Sequence, residues 1–276
     1  MHDTAARRPA AGDYLRAWRQ RRHMSQLEFA LEAEVSQRHL SFLETGRSVP
    51  SREMLIRLAE RLEVPLRDRN AMLIAAGYAP IYAERPLADP AMAAARQAIE
   101  LVLKGHEPYP ALAIDRHWHL QAANAALGPL LAGVKDKSLL EPPVNVLRLS
   151  LHPQGLASRI ANLAEWRCHL LDRLRRQIAV TADPVLVDLL KELNAYPASA
   201  GDAVAQDAPS DHGGVLVPLE LVTDAGLLSF ISTTTVFGTP RDITLSELAV
   251  EAFFPTNDAT AEILRRLGTT EAAAAA

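Results

Sequence analysis

The stretch SQLEFALEAEVSQRHLSFLETG, residues 25–46, decides how the N-terminal part of the chain folds. Ser25 followed three residues later by Glu28 is a capping box, which predicts a helix starting at Gln26. Its expected buried stripe is Leu27, Ala30 and Leu31. Val35 fills a tight turn, and Ser36 can cap a second helix whose inward positions are Leu40 and Leu43 at three-residue spacing. Gly46, directly after that stripe, is a natural stop.

The outer face of the second helix carries the chemistry. Gln37, Arg38, Ser41 and Phe42 stand at or near its exposed N-terminal side, the end that a DNA-reading helix pushes into the major groove. Gln and Arg can make paired hydrogen bonds to adenine and guanine edges, Ser is adaptable, and an apolar ring can touch a thymine methyl. Gln26 can hold a phosphate through its amide and the helix N-terminus, and Arg47 and Ser48 can do the same beyond the second helix. The competing reading is a helical bundle that binds protein, with Phe42 packed on the bundle. Residues 13–76, including SQLEFA, VSQRHLSFLETGRSVPS and REMLIRLAERLEV, resemble the Xre/Cro–C1 type helix-turn-helix domain. That resemblance implies an all-α five-helix bundle that binds a double-stranded DNA operator.

Around this stretch, Tyr14 to His23 reads as a first helix with Leu15, Trp18 and the stem of Arg22 inward. Ser51 can cap a helix with Met54, Leu55, Leu58 and Leu62 inside, and Leu66 to Ala76, stopped by Gly77, closes the bundle. Residues 1–12, with Arg7 and Arg8, read as a flexible tail before a DNA-binding domain at 13–79. Prolines 80, 86 and 90 mark a linker at 80–90, and a second domain follows at 91–268, with 269–276 a disordered tail.

Whole-chain numbers agree with two domains. With 276 residues and 49% hydrophobic content, the chain can bury two cores. Residues 1–85 hold 14 Lys+Arg against 11 Asp+Glu, and residues 86–276 hold 15 against 22. The basic portion is therefore the helix-turn-helix portion, as DNA binding requires. No apolar run approaches the ~18 residues of a membrane span, and no secretory signal is recognisable. The lone Cys168 excludes an internal disulfide and suits a reducing cytoplasm.

In the second part, residues 91–105 read as a helix with Met92, Ala95, Ile99 and Val102 on one face. ALAIDRHWHLQAAN holds two short strands around a turn at Asp115-Arg116, and Asn124 can cap a helix running to Leu131. Leu156 to Val180 is a long amphipathic stretch with Arg159, Arg167, Arg173, Arg175 and Arg176 largely outward. Asp183-Pro184 opens another helix, and Tyr196 to Gly214 is a polar loop. VLVPLELV and LLSFISTTTVFG alternate with a period of two around Asp224-Ala225-Gly226, a hairpin; Leu248 to Phe254 adds a strand and Asp258 to Leu267 a helix. The expected fold is α+β with an antiparallel sheet. The strand–turn–strand–helix opening resembles a PAS-like domain. With the RIANLAEWRCHLLDRLR, ISTTTVFGTPRDITLSEL and EAFFP stretches, it is similar to the ligand-binding domain of MmyB-like transcription regulators. The resemblance implies a PAS-like module holding a small apolar ligand such as a fatty acid.

Lining candidates for such a ligand are Trp118, Trp166, Leu170, Phe230, Phe237 and Phe254, with Asn124, Arg167 and His169 as polar anchors. Each is equally readable as core. His117, His119, His152 and His169 carry no companion Cys cluster or HExxH, so surface or hydrogen-bonded histidines are the expected reading rather than a metal site. Cys168 and His169 are helix neighbours that point apart, and no nucleophile elbow or phosphate loop occurs, so no catalytic residue is expected. The leading function is a dimeric one-component transcription regulator, a repressor by the habit of this helix-turn-helix type, whose operator binding responds to the apolar ligand; no other cofactor is expected. The alternative is a DNA binder whose second domain is only a dimerisation or protein-interaction module. An enzyme fused to a DNA reader is a third.

Overall fold

The computed structural model describes residues 9–197 and 216–274, with side chains through 268. It divides into two compact units, one of residues 1–85 with 239–246 and the other of 86–238 with 247–276. The first is built on α1 (Ala11–Arg21), α2 (Gln26–Glu32), α3 (Gln37–Glu44), α4 (Arg52–Arg61) and α5 (Leu66–Ala75). Its caps are those the sequence indicates. Ser25 accepts from the Glu28 amide while the Glu28 carboxylate accepts from the Ser25 amide, and Ser36 and Ser51 accept from the His39 and Met54 amides. Gly46 and Gly77 adopt φ of +72° and +84° just past α3 and α5, a conformation glycine reaches without strain.

Two expectations for this unit fail. Helix α1 starts at Ala11, three residues before Tyr14, because the Asp13 carboxylate accepts from the Ala10 amide and caps an earlier turn. The inner face of α2 is Phe29, Ala30 and Ala33, leaving Leu27 and Leu31 53% and 71% exposed. Each of those leucines is two residues from Phe29, about 200° around the helix. Burying the larger aromatic ring therefore turns both of them outward. At Gly12, α1 approaches α3 so closely that a Cβ would lie 2.3 Å from the Leu43 carbonyl oxygen.

Thr239–Ser246 also packs in this unit. The Ile243 amide donates to the Ala83 carbonyl at 2.8 Å, Arg85 pairs with Asp242 at 3.1 Å, and Ile243 is buried. The short helix α11 (Ile243–Ser246) lies against α5.

The second unit centres on a five-stranded antiparallel sheet of β1 (Ala111–Ile114), β2 (Leu120–Ala123), β3 (Leu219–Thr223), β4 (Gly226–Val236) and β5 (Ala249–Pro255), in the order β2-β1-β5-β4-β3. This is the α+β, PAS-like arrangement expected. Register sets which residues share a face: Leu112 pairs with Glu251 and Ile114 with Ala249, while Ala111 and Ala113 pair with Ala252 and Val250. The Ala113 and Val250 side packs on Ile99 and Leu103 of α6 (Ala93–Gly105). The Leu112 and Ile114 side faces α8 (Val146–Leu151), α9 (Leu163–Thr181) and α10 (Pro184–Ala195), in a core shared with α7 (Gly128–Leu131) and α12 (Asp258–Ala274).

Several sequence expectations shift here. In α6 the buried stripe ends on Leu103, and Val102 is half exposed. Asn124 caps nothing: its Oδ1 accepts from the Ala111 amide and its Nδ2 donates to the Leu103 and Tyr109 carbonyls, stapling α6 to β1. The stretch from Leu156 is broken before α9, because the Ala161 amide and the Asn162 side chain hydrogen-bond the backbone at Pro218 and Glu220 beside β3. Helix α12 continues past Leu267 to Ala274, into residues expected to be a disordered tail, as alanine's helix propensity favours. Arg7, Arg8 and the loop beyond residue 197 lie outside the described residues.

Candidate functional site

On α3, Gln37 and Arg38 are exposed and Ser41 and Phe42 half-buried. Two cations lie against the Phe42 ring, the Arg38 guanidinium 5.4 Å and the Arg47 guanidinium 5.8 Å from its centroid. Phe42 thus holds two arginines on one face by cation–π attraction. Among the described residues neither arginine has a carboxylate partner, so both keep their donors for phosphate or base edges. The Arg47 and Ser48 amides both donate to the Phe42 carbonyl, which leaves the Ser48 hydroxyl, rather than its N–H, for a backbone contact.

Gln26 is differently used. Its amide nitrogen donates to Glu44 Oε2 at 2.9 Å, so it braces the bundle instead of lying free for phosphate. Glu44 also accepts from Arg19 Nε at 2.6 Å and Arg19 Nη2 at 2.9 Å. The Glu44 side chain is 0% exposed and that of Arg19 10%. Burial pushes the Glu44 carboxyl up, but the hydrogen bonds from Arg19 and Gln26 and the charges of Arg19 and Arg16 outweigh it and leave the group below the usual carboxylate range. One carboxylate thereby ties the C-terminal end of α3 to α1 and to the start of α2, fixing the angle at which α3 is presented.

The second unit holds an apolar cavity on the α9 side of the sheet. The free room inside it is about 100 Å³. Leu112, Phe230 and Phe253 form the sheet wall, Trp166, Leu170 and Arg173 the α9 wall, and Leu147, Leu149 and Ser150 the α8 wall. Trp118 closes one side from the β1–β2 turn, where it takes a left-handed φ of 68°; Asp115 braces that turn by accepting from the His117 and His119 amides. Both indole N–H groups are satisfied, Trp118 by Gln177 at 2.8 Å and Trp166 by Ser150 at 3.0 Å. The cavity's charged groups are Arg173 and Glu251, which pair with each other, and Arg173 also lies 4.8 Å over the Trp118 ring.

Two family models match the chain: a helix-turn-helix over residues 15–68 and the MmyB-like transcription regulator ligand binding domain over residues 95–267. The chain belongs to the MmyB-like transcription regulators. It is a DNA-binding transcription regulator with a ligand-binding domain. No curated protein is similar enough to count as a match.

Of the residues read from sequence as lining the regulator's pocket, Trp118, Trp166, Leu170 and Phe230 meet around the cavity. The others do not reach it. Phe237 packs on the α6 side of the sheet, and Phe254 is turned toward His106, with ring centroids 4.6 Å apart. Arg167 donates to the Leu193 and Tyr196 carbonyls at the end of α10, and Asn124 is the staple described above. His169 stacks on Trp166 from outside at 5.4 Å; burial, then the charges of Arg173 and Arg176, lower its pKa. The other histidines have separate partners: His117 bonds Asp183, His119 bonds Asp115 and His152 meets Tyr196. No cluster of three metal-binding side chains occurs among the described residues. Nor is any described helix long and apolar enough to cross a membrane.

Sequence reading missed Phe253, Glu251, Ser150 and Arg173. The signal for Arg173 was present: Trp166, Leu170, Arg173 and Gln177 recur at four, three and four residues, one stripe of α9.

Proposed function

We propose that this regulator works as a homodimer that represses transcription from a two-fold operator, and that an apolar small molecule such as a fatty acid, held in the cavity, changes its operator affinity. Arg38 and Gln37 read bases, Arg47 and Ser48 hold phosphates, and half-sites are spaced by about one helical turn, ~34 Å. The observation that carries this reading is an apolar cavity with aromatic walls in the family's ligand-binding domain, on a chain whose α3 and the turn after it present two arginines, Arg38 and Arg47, free of carboxylates among the described residues.

The chain supplies a route between the two activities. Strand β4 contributes Phe230 to the cavity and β5 contributes Glu251 and Phe253; Thr239–Ser246, which joins β4 to β5, packs with the helix-turn-helix unit.

The test is an organic extract of the purified full chain read by mass spectrometry, followed by operator binding titrated with whatever is recovered. A stoichiometric apolar molecule that shifts operator affinity supports the reading. An empty chain whose operator affinity ignores every apolar molecule offered favours a second domain that serves only in dimerisation.

A further inference from the structure

Resting on the ligand reading above, we propose that Trp118 is the movable wall of the cavity: an apolar chain enters by turning the indole out into an adjoining recess, so this one side chain sets how long a ligand the domain accepts. The free room in the cavity is about 100 Å³. A cavity of ~150 Å³ is filled by a single benzene ring. An extended acyl chain therefore requires a wall to yield.

Most of the walls are braced. Arg173 donates to both Glu251 oxygens and to the Thr234 hydroxyl, and that hydroxyl donates to Glu251, closing a ring of side chains from α9, β4 and β5. Trp166 is bonded to Ser150 and backed by the His169 ring. Leu112, Phe230 and Phe253 stand on paired strands of the sheet.

Trp118 has space behind it. A recess with about 250 Å³ of free room shares Trp118 and Arg173 with the cavity, and its other walls include Asp115, Arg116, Gln177, Glu247 and Ala249. The Trp118 backbone is fixed, its amide donating to the Asp115 carbonyl and its carbonyl accepting from the Val146 amide. The indole, in contrast, is held by one hydrogen bond, to Gln177 at 2.8 Å. The motion is therefore a side-chain rotation. Turned outward, the indole leaves its own volume to the ligand, and the Asp115 and Glu247 carboxylates offer its N–H new acceptors in the recess. Gln177 stays in place, because its amide nitrogen also donates to the Arg116 carbonyl at 2.8 Å.

The experiment titrates laurate and hexanoate into the full-length protein by calorimetry. Trp118→Ala should bind laurate at least ~10-fold more tightly than the wild type, because the open arrangement no longer has to be populated at the ligand's expense. The gain should be smaller for hexanoate. Gln177→Leu, which releases the indole, should tighten laurate binding several-fold, and Ala249→Phe, which plugs the recess, should weaken it. With the wild type labelled with 5-fluorotryptophan, the Trp118 fluorine signal, assigned by its loss in Trp118→Phe, should become sensitive to solvent isotope when laurate is added, and the Trp166 signal should not. Laurate that binds the wild type as tightly as Trp118→Ala and Gln177→Leu, with the Trp118 signal unmoved, would overturn the proposal while sparing the ligand reading. Failure of both acids to bind any variant would overturn the ligand reading as well.

Discussion

Truncating Glu44 to alanine should cost the helix-turn-helix unit about 3–5 kcal/mol, the range for breaking a buried ion pair by removing one partner. The side chain is fully buried and accepts two hydrogen bonds from Arg19 and one from Gln26. Charged hydrogen bonds contribute ~1.5–3 kcal/mol each; three that share one carboxylate do not add, so the simple sum overshoots. After truncation Arg19, only 10% exposed, keeps just the Met24 carbonyl as a partner. Glu44→Gln preserves the shape but sets an N–H₂ group against another donor, and should cost about half as much.

The pH dependence carries a sign. Because the folded Glu44 pKa lies below its unfolded value, the carboxylate's contribution is fully present above the unfolded pKa of ~4.3 and is lost as pH falls through the folded value. The stability gap between wild type and Glu44→Gln should therefore narrow in acid. Hydrogen exchange of peptides spanning residues 11–46, across a urea series at neutral and acidic pH, isolates this unit from the other. A Glu44→Ala cost below ~1 kcal/mol, or a gap that ignores acid, would refute the reasoning.

Arg38→Ala should weaken specific operator binding by ~1–3 kcal/mol and relax choice at one base pair, measured by competition against single-base operator variants. Gly12→Ala should destabilise the bundle by ~1–2 kcal/mol in spite of alanine's better helix propensity, because the new methyl meets the Leu43 carbonyl at 2.3 Å; thermal melts of the mutant check it. Leu127→Trp, on the cavity wall, should reduce uptake of an apolar ligand by at least ~10-fold while operator affinity in its absence is kept, a pairing that separate ligand and operator titrations test. Arg85→Ala leaves Asp242, whose side chain is 9% exposed, without its ion-pair partner, and should loosen the packing of Thr239–Ser246 by ~1–3 kcal/mol, read by hydrogen exchange of that segment.

What could be read from the sequence follows the range of each signal. Caps and turns are local: Ser25 with Glu28, Ser36, Ser51 and the glycines at 46 and 77 act within a few residues, and the helix starts and stops they mark are found there. The α2 stripe fails because seven residues hold two apolar spacings, and only the packing of Phe29 decides between them. Phe253 and Phe254 differ by one step on a strand, so their faces depend on the register of β5 with β1 and β4, fixed by pairing partners far along the chain. Glu44 and Arg19 are 25 residues apart, and nothing local marks either as buried. Arg173 shows the opposite failure: its spacing was legible, but its charge argued for solvent.

The three arginine environments explain one another. Arg19, Arg38 and Arg173 carry the same guanidinium, and the last two lie over aromatic rings at 5.4 and 4.8 Å, so ring stacking alone does not separate a reader from a strut. The neighbouring carboxylate does. Arg19 is matched by Glu44 and Arg173 by Glu251, both acids nearly buried, and each pair locks helices or strands whose relative placement matters: α1, α2 and α3 in one unit, α9, β4 and β5 in the other. Arg38 and Arg47 over Phe42 have no such acid among the described residues, and the ring holds them while leaving their donors unsatisfied. The cations are distributed accordingly: open beside the helix-turn-helix, and closed by an internal acid on the wall of the apolar cavity.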